Sequence, residues 1–171
     1  MEGTGSRDHQ RASQEETCGG LQPDYNKDTY LDAYPLPNLE SMIEKISQYK
    51  YYSTLDLKSA YHQIPIQAKD KPYTAFEAAG NLYQFCRIPF GVTNGVASFQ
   101  RIINTIIQKE KCEAVEAYVD NVTIGGNSKE EHDSNLQNFR NAAAKYNLTF
   151  NEDQSIIGVE QLDLMGYRIS Q

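Results

Sequence analysis

The stretch from Ala114 to Gly125 constrains the fold most, because two runs rich in β-branched residues, Ala114 to Val119 and Val122 to Gly125, flank the pair Asp120-Asn121. Asp and Asn tolerate positive φ better than most residues, which the tight two-residue turns of hairpins require. The pattern predicts an antiparallel hairpin with an acid at its tip. A second acid, Asp56, closes Tyr51 to Leu57, an alternating run of aromatic and β-branched residues that reads as a strand. Such a chain presents two carboxylates at strand ends.

The rest of the chain supplies partners for these strands. Ser41 is positioned to cap a short helix carrying Met42, Ile43 and Ile46 inward and ending near Tyr49. Gln63 to Ile66, Tyr73 to Glu77 and Leu82 to Cys86 read as further strands, with Ala79-Gly80-Asn81 as a hairpin turn. Phe99, Ile102, Ile103, Ile106 and Ile107 fall at helical spacing between Asn94, the expected N-cap, and about Lys109. Ser128 and Glu131 form a capping box opening a helix to about Lys145, with His132, Leu136, Phe139, Ala143 and Tyr146 on one face. Leu148 to Phe150 and Leu162 to Ser170, after a turn at Gly158, are strand-like. This order suits an α+β fold, an antiparallel sheet with helices packed on one face.

Composition narrows the function. Residues 1–23 show no hydrophobic period and read as a disordered tail ahead of one domain from 24 to 171, whose first segment is held extended by Pro35 and Pro37. No apolar run reaches the ~18 residues that a bilayer span needs, and none resembles a signal peptide, so the expectation is an intracellular protein, cytoplasmic or nuclear, that is not secreted. Cys18, Cys86 and Cys112 lack the spacing of a zinc site or a disulfide framework. The net charge of −7 argues against simple polyanion binding, and between Lys109 and Asp163 there are 11 acidic against 5 basic residues. Any nucleic-acid function must rest on a specific site.

Two carboxylates brought together from separate strands repel unless a cation lies between them, and carboxylate oxygens with waters suit Mg²⁺. A paired metal site, with ions about 3.5 to 4 Å apart, is the arrangement used for in-line nucleotidyl transfer. The ordinary alternative is that Asp56 caps the turn after its strand and that Asp120-Asn121 only makes a turn.

The context of the acids resembles the reverse transcriptases of gypsy-type long-terminal-repeat retrotransposons, part of the Pol polyprotein. The resemblance runs from about Asp24 to Ser170 and rests on ordered motifs. These are Tyr34-Pro35-Leu36-Pro37, the run from Tyr52 to Ile64 around Leu55-Asp56-Leu57, and Thr74-Ala75-Phe76. Gly80 to Phe85, Ile88-Pro89-Phe90-Gly91, Ser98-Phe99-Gln100-Arg101, Tyr118-Val119-Asp120-Asn121 and Leu164-Met165-Gly166-Tyr167 follow in order. The resemblance implies a reverse-transcriptase-like palm with partial fingers, acting as an RNA-directed DNA polymerase on dNTPs and a primer paired to an RNA or DNA template. It implies Asp56, Asp120 and Asn121 as catalytic positions, with Asp56 and Asp120 holding Mg²⁺ or Mn²⁺. Tyr61, Phe90 and Gly91 would line the nucleotide pocket, with Tyr61 as a steric gate against a ribose 2′ hydroxyl. Gln100 would lie on the template side, and Met165, Gly166 and Tyr167 would form the primer grip.

The pattern departs from the family at three places. Asn121 stands where the family has a second Asp, Gln154 stands where it has a Lys, and no basic fingers segment precedes Asp24. The thumb, connection and ribonuclease H parts of a Pol polyprotein are expected to lie outside this chain. These departures keep open a degenerate, non-catalytic palm-derived protein. A small RNA-binding sheet domain would share this element order, but the chain lacks the aromatic strand motif of such modules and its balance is acidic.

Overall fold

The computed structural model describes residues 29–170, so the expected tail over residues 1–23 lies outside the described residues. Four strands form the central antiparallel sheet: β1 (Tyr51–Leu57), β4 (Val115–Tyr118), β5 (Asn121–Gly126) and β6 (Phe150–Val159), in the order β4-β5-β1-β6. Three helices, α1 (Leu39–Ile46), α2 (Gly95–Lys109) and α3 (Lys129–Lys145), pack against it. Two short hairpins, β2–β3 (Phe76–Ala78 and Asn81–Tyr83) and β7–β8 (Gln161–Leu164 and Tyr167–Ser170), complete the fold.

The two-residue period of β1 sorts its side chains between two cores. Leu55 and Leu57, with Val115, Ala117, Val122 and Ile124 from β4 and β5, pack against Phe99 and Ile103 of α2 and Phe139 of α3. Burying one such side chain contributes roughly 1.5–3 kcal/mol, so this face anchors the expected sheet-and-helix layers. Tyr52, of opposite parity, packs with Met42 and Ile46 of α1 and with Leu162, Leu164 and Ile169 of β7–β8. α1 and the β7–β8 hairpin therefore lie over one end of the opposite face, so the expectation of helices on one face holds for α2 and α3 but not for α1. Asp56 shares the parity of Tyr52, so it projects on that second face, beyond the covered end.

Glycines let both layers come close at one point. A Cβ at Gly125 would meet the Tyr49 ring at 2.4 Å, and one at Gly126 would meet the His132 backbone nitrogen at 2.4 Å. The end of β5 is thus pressed between the segment after α1 on one side and the first turn of α3 on the other.

Several local expectations are corrected. The cap of α1 is Asn38, whose side chain accepts from the Ser41 N–H, and the helix ends at Ile46 rather than near Tyr49. Gln63 to Ile66 is no strand: a 3₁₀ turn covers Ala60–Gln63, followed by one isolated bridge between Pro65 and Arg87. Tyr73 lies in a second 3₁₀ turn, Lys71–Thr74, opened by Pro72, whose fixed φ favours a turn over a strand. The Ala79-Gly80 turn is found, with φ of 51° and 72°, but its strands are only three residues each. Asn94 precedes α2 without capping it, because its side chain is engaged by Tyr30 and Asp32. Ser128 caps α3 as expected, while Glu131 reaches Asn127 rather than Ser128, and Tyr146 is 39% exposed rather than inward.

The C-terminal run from Leu162 is a hairpin, not one strand, since Met165 and Gly166 turn the chain with φ of 50° and 87°. Gly158 makes no turn between strands but a bulge inside β6, at φ 65°, where the pairing with β1 shifts register. Among the described residues no helix is long and apolar enough to cross a membrane.

Candidate active site

Asp56 is the penultimate residue of β1 and lies directly opposite Asn121, the first residue of β5. The β4–β5 pairing closes at Tyr118 and Asn121, so the loop is Val119-Asp120, one residue earlier than the expected Asp120-Asn121. The Asp120 carbonyl accepts the Leu57 N–H at 2.8 Å, which ties the hairpin tip to the end of β1. Both predicted acids therefore meet at one end of the sheet. Burial pushes the Asp56 carboxyl above its ordinary value, and the negative charge of Asp120 pushes it further. Among the described residues no Lys, Arg or His forms an ion pair with either acid.

The strand beside Asp56 is interrupted. Thr54 pairs with Ile156 but Asp56 pairs with Asn151, so residues 152–155 bulge out of the ladder. At the bulge the Ser155 hydroxyl accepts from the Asp56 N–H at 3.2 Å while donating to Asn151 O at 2.8 Å. Ser155 is a site residue that sequence reasoning missed, since nothing in its local pattern marks a bulge. Gln154 sits on the same bulge, exposed, with its side-chain oxygen accepting from Asn151.

The turn itself is strained and clamped. Val119 has φ 54°, a conformation that β-branched residues rarely adopt. Its N–H donates to Gln100 Oε1 at 2.8 Å, and Gln100 Nε2 donates to Ala117 O at 2.9 Å. The Gln100 amide thus pairs with the outer edge of β4 as a neighbouring strand would. Gln100 is fully buried, with its side chain facing the hairpin.

Tyr61, Phe90 and Gly91 are brought together as predicted. With Pro89, Val92, Gly95 and Val96 they line a cleft of about 280 Å³. The Tyr61 ring meets Phe90 and Phe99 edge-on, with centroids 5.8 and 6.1 Å away. Burial, and secondarily the charge of Asp120, raise the Tyr61 hydroxyl above its ordinary value, so the cleft and the acids are electrostatic neighbours. Phe90 is 64% exposed, which rules out an ordinary core role. Gly91 holds φ 85° with open space where a Cβ would lie, so backbone conformation alone requires glycine there.

Met165, Gly166 and Tyr167 lie at the tip of β7–β8, on the sheet face that carries Asp56, with Met165 42% and Tyr167 48% exposed. Leu162, Leu164 and Ile169 anchor that hairpin in the core under Tyr52.

The donor set fits a hard divalent cation held by few protein ligands. It consists of two carboxylates free of ion pairs, and Mg²⁺ binds through one or two carboxylates while keeping waters and substrate phosphates. Among the described residues no group of three or more His, Cys, Asp or Glu side chains forms a metal cage. Asn121 turns its amide toward Asp120, with Nδ2 3.4 Å from Oδ1. Behind the acids, the cross-strand pair Thr54 and Thr123 is buried, and among the described residues neither hydroxyl oxygen has a hydrogen-bond partner.

A second polar constellation is structural. His132 Nε2 lies 2.8 Å from Ser53 Oγ and Nδ1 lies 3.0 Å from Asp133 Oδ1, a Ser-His-Asp order. Ser53 and His132 are both fully buried, and Ser53 Oγ already accepts the Gly158 N–H at 2.9 Å. No substrate reaches this serine; the network joins β1, α3 and the β6 bulge.

Comparison with known proteins accords with this geometry. A family model described as reverse transcriptase (RNA-dependent DNA polymerase) matches residues 19–169. The chain is 29% identical over 146 residues to the retrovirus-related Pol polyprotein from transposon gypsy of Drosophila melanogaster, covering 85% of this chain and 14% of that protein. The corresponding polyprotein from transposon opus of the same species is 32% identical over 145 residues, with the same coverage. The Tf2-7 polyprotein of Schizosaccharomyces pombe is 32% identical over 146 residues, covering 85% of this chain and 11% of that one. Among solved structures, the foamy viral protease-reverse transcriptase in complex with double-stranded DNA superposes with a TM-score of 0.78 at 22% identity, over 86% of this chain and 26% of that one. The same viral protein with an RNA/DNA hybrid gives a TM-score of 0.77 at 21% identity, over 85% and 20% of the two chains. The chain thus spans about a seventh or less of the curated relatives named here.

Proposed function

Because the chain belongs to the reverse transcriptase (RNA-dependent DNA polymerase) family, we propose that its site extends a primer with dNTPs along an RNA or DNA template, by nucleotidyl transfer at Asp56 and Asp120. The observation that carries this reading is the meeting of the two acids at one end of the sheet, Asp56 on β1 and Asp120 in the β4–β5 turn, where burial and then the charge of Asp120 raise the carboxyl of Asp56. Such a pair is relieved by cations. Asp56 and Asp120 would hold Mg²⁺ or Mn²⁺, which supply charge neutralisation on the nucleotide phosphates and activation of the primer 3′ hydroxyl.

The remaining residues bind and orient. The Tyr61 ring would lie under the sugar, where a 2′ hydroxyl would collide with it, and Phe90 and Gly91 form the accessible wall of the same cleft. Met165, Gly166 and Tyr167 would hold the primer end from their hairpin over the acid-bearing face. Gln100 serves by holding the Val119-Asp120 turn. The overall reaction forms a bond between the primer 3′ oxygen and the α-phosphorus and releases pyrophosphate. Other parts of a Pol polyprotein would contribute the remaining grip on the duplex, in an intracellular setting that supplies dNTPs.

A second reading, a non-catalytic palm-derived protein, draws on the Asn121 amide directed at Asp120. An amide there removes one negative charge from the site and ligates Mg²⁺ poorly. Primer extension by the purified chain with Mg²⁺ or Mn²⁺ separates the two readings. Extension abolished by Asp56→Ala supports the polymerase; no extension by the chain or by its Asn121→Asp variant rejects it for this chain.

A further inference from the structure

We infer that Tyr34, in the segment before α1, is a positioning residue for the Val119-Asp120 turn, acting through Asn104 and Gln100; its relevance to catalysis rests on the proposal that this turn carries a metal-binding acid. The argument begins at the turn and proceeds by forced assignments. A backbone N–H only donates and a carbonyl only accepts. The Gln100 side chain must therefore aim its oxygen at Val119 N and its nitrogen at Ala117 O.

The second Gln100 N–H then needs an acceptor, which is Asn104 Oδ1 at 3.1 Å. That choice leaves Asn104 Nδ2 facing the Tyr34 hydroxyl oxygen, which accepts it at 3.0 Å. Each amide has one orientation that satisfies the chain, and its outer end is fixed by Tyr34. Without that oxygen Asn104 Nδ2 loses its partner, and the side chain that offers its oxygen to Gln100 is held less firmly.

Tyr34 is itself held by α2. Arg101 lies over its ring at 5.0 Å and pairs with Asp32 at 2.6 Å. Asp32 Oδ1 also accepts the Tyr34 N–H at 3.1 Å. Asn94 grips the preceding backbone, accepting the Asp32 N–H at 2.9 Å and donating to Tyr30 O at 2.8 Å. The segment is a strap across α2, and its hydroxyl reaches the catalytic hairpin by way of two side chains. The turn needs such support because Val119 is held at φ 54°.

Amide hydrogen exchange on the whole ¹⁵N-labelled chain tests this without depending on activity. Tyr34→Phe is expected to speed exchange at Val119 about three- to tenfold, the range for losing one net hydrogen bond's worth of local order. The Gly125 amide, bonded to Ala114 O at the far end of the same hairpin, is expected to keep its rate. Asp32→Ala, which frees the strap and keeps the hydroxyl, should give the same local acceleration. An unchanged Val119 rate in both variants overturns the inference, as does equal acceleration at Val119 and Gly125, which would mark general destabilisation. Failed primer extension with the local exchange pattern intact would instead reject the polymerase reading and leave the relay standing.

Discussion

Asp56 on β1 faces Asn121 on β5 across the ladder, and the hairpin that begins β5 delivers Asp120 beside it. The sheet thus places one acid at a strand end and one in a turn, the two meeting through strand register. Register here is doubly fixed. A shift of one residue would turn Leu55 and Leu57 out of the α2–α3 core and carry Asp56 into it.

Replacing Asp56 with Asn should stabilise the chain in the absence of divalent cations. A folded carboxyl held above its ordinary value binds protons more readily than in the unfolded chain, so stability falls as pH rises from near 3.8 through the folded value. The Asn variant lacks that loss. The carboxyl is partly exposed, so solvent screening limits the gain to a rise in Tm of roughly 2 °C at neutral pH. Thermal melts in EDTA across pH test this; a variant that melts below the parent at neutral pH would contradict it.

Gln100→Leu should cost about 2–4 kcal/mol, because it takes the partner from the buried Ala117 C=O and from the part-buried Val119 N–H. Urea unfolding measures the loss. A cost under about 1 kcal/mol would mean that water replaces the amide and that Gln100 does not clamp the turn.

Much of this fold was legible from pattern alone. The β1 bounds, α2 and the Ser128 cap follow from period and capping chemistry that act locally. The stretch from Gln63 to Thr74 departs from its pattern because β-favouring composition predicts strands, whereas Pro72 and the left-handed Ser59, at φ 48°, open 3₁₀ turns there. The hairpin loop was misplaced by one residue for a related reason. Propensity assigns positive φ to Asp or Asn, but the structure puts it on Val119, with the Gln100 amide bonding that residue's N–H. At the site, the acids and the Tyr61 cleft were readable as motifs. The roles of Ser155 and Gln100 were not, since each depends on which backbone groups a bulge or a sheet edge brings within reach of a side chain.

The paired glycines at the end of β5 should respond unequally to alanine. At Gly126 a Cβ would fall 2.4 Å from the His132 nitrogen and 2.5 Å from its Cα, both backbone atoms of α3. Relief requires moving the helix, at a cost of about 3 kcal/mol or more. At Gly125 the collision is with the Tyr49 ring, which moves by side-chain rotation, so roughly 1–2 kcal/mol is expected. Denaturant unfolding of the two variants measures both, and a larger loss at Gly125 would reverse the assignment.

His62 sets an acid limit on the wall of the proposed nucleotide cleft. Its ring meets Phe90 edge-on at 4.6 Å, its Nδ1 is buried without a partner among the described residues, and burial lowers its pKa below the ordinary value of 6.5. The unfolded chain therefore takes up a proton near pH 6.5 that the folded chain refuses, and stability declines as pH falls from there toward the lower folded value. His62→Phe removes both the orphan nitrogen and this proton uptake. Its stability should depend less on pH than the parent's over that window, with the difference growing as the solution becomes more acid. Urea midpoints of the two proteins measured from neutral pH downward decide the point: parallel curves would mean that the ring gains a partner when protonated, and that the cleft wall does not oppose the charge.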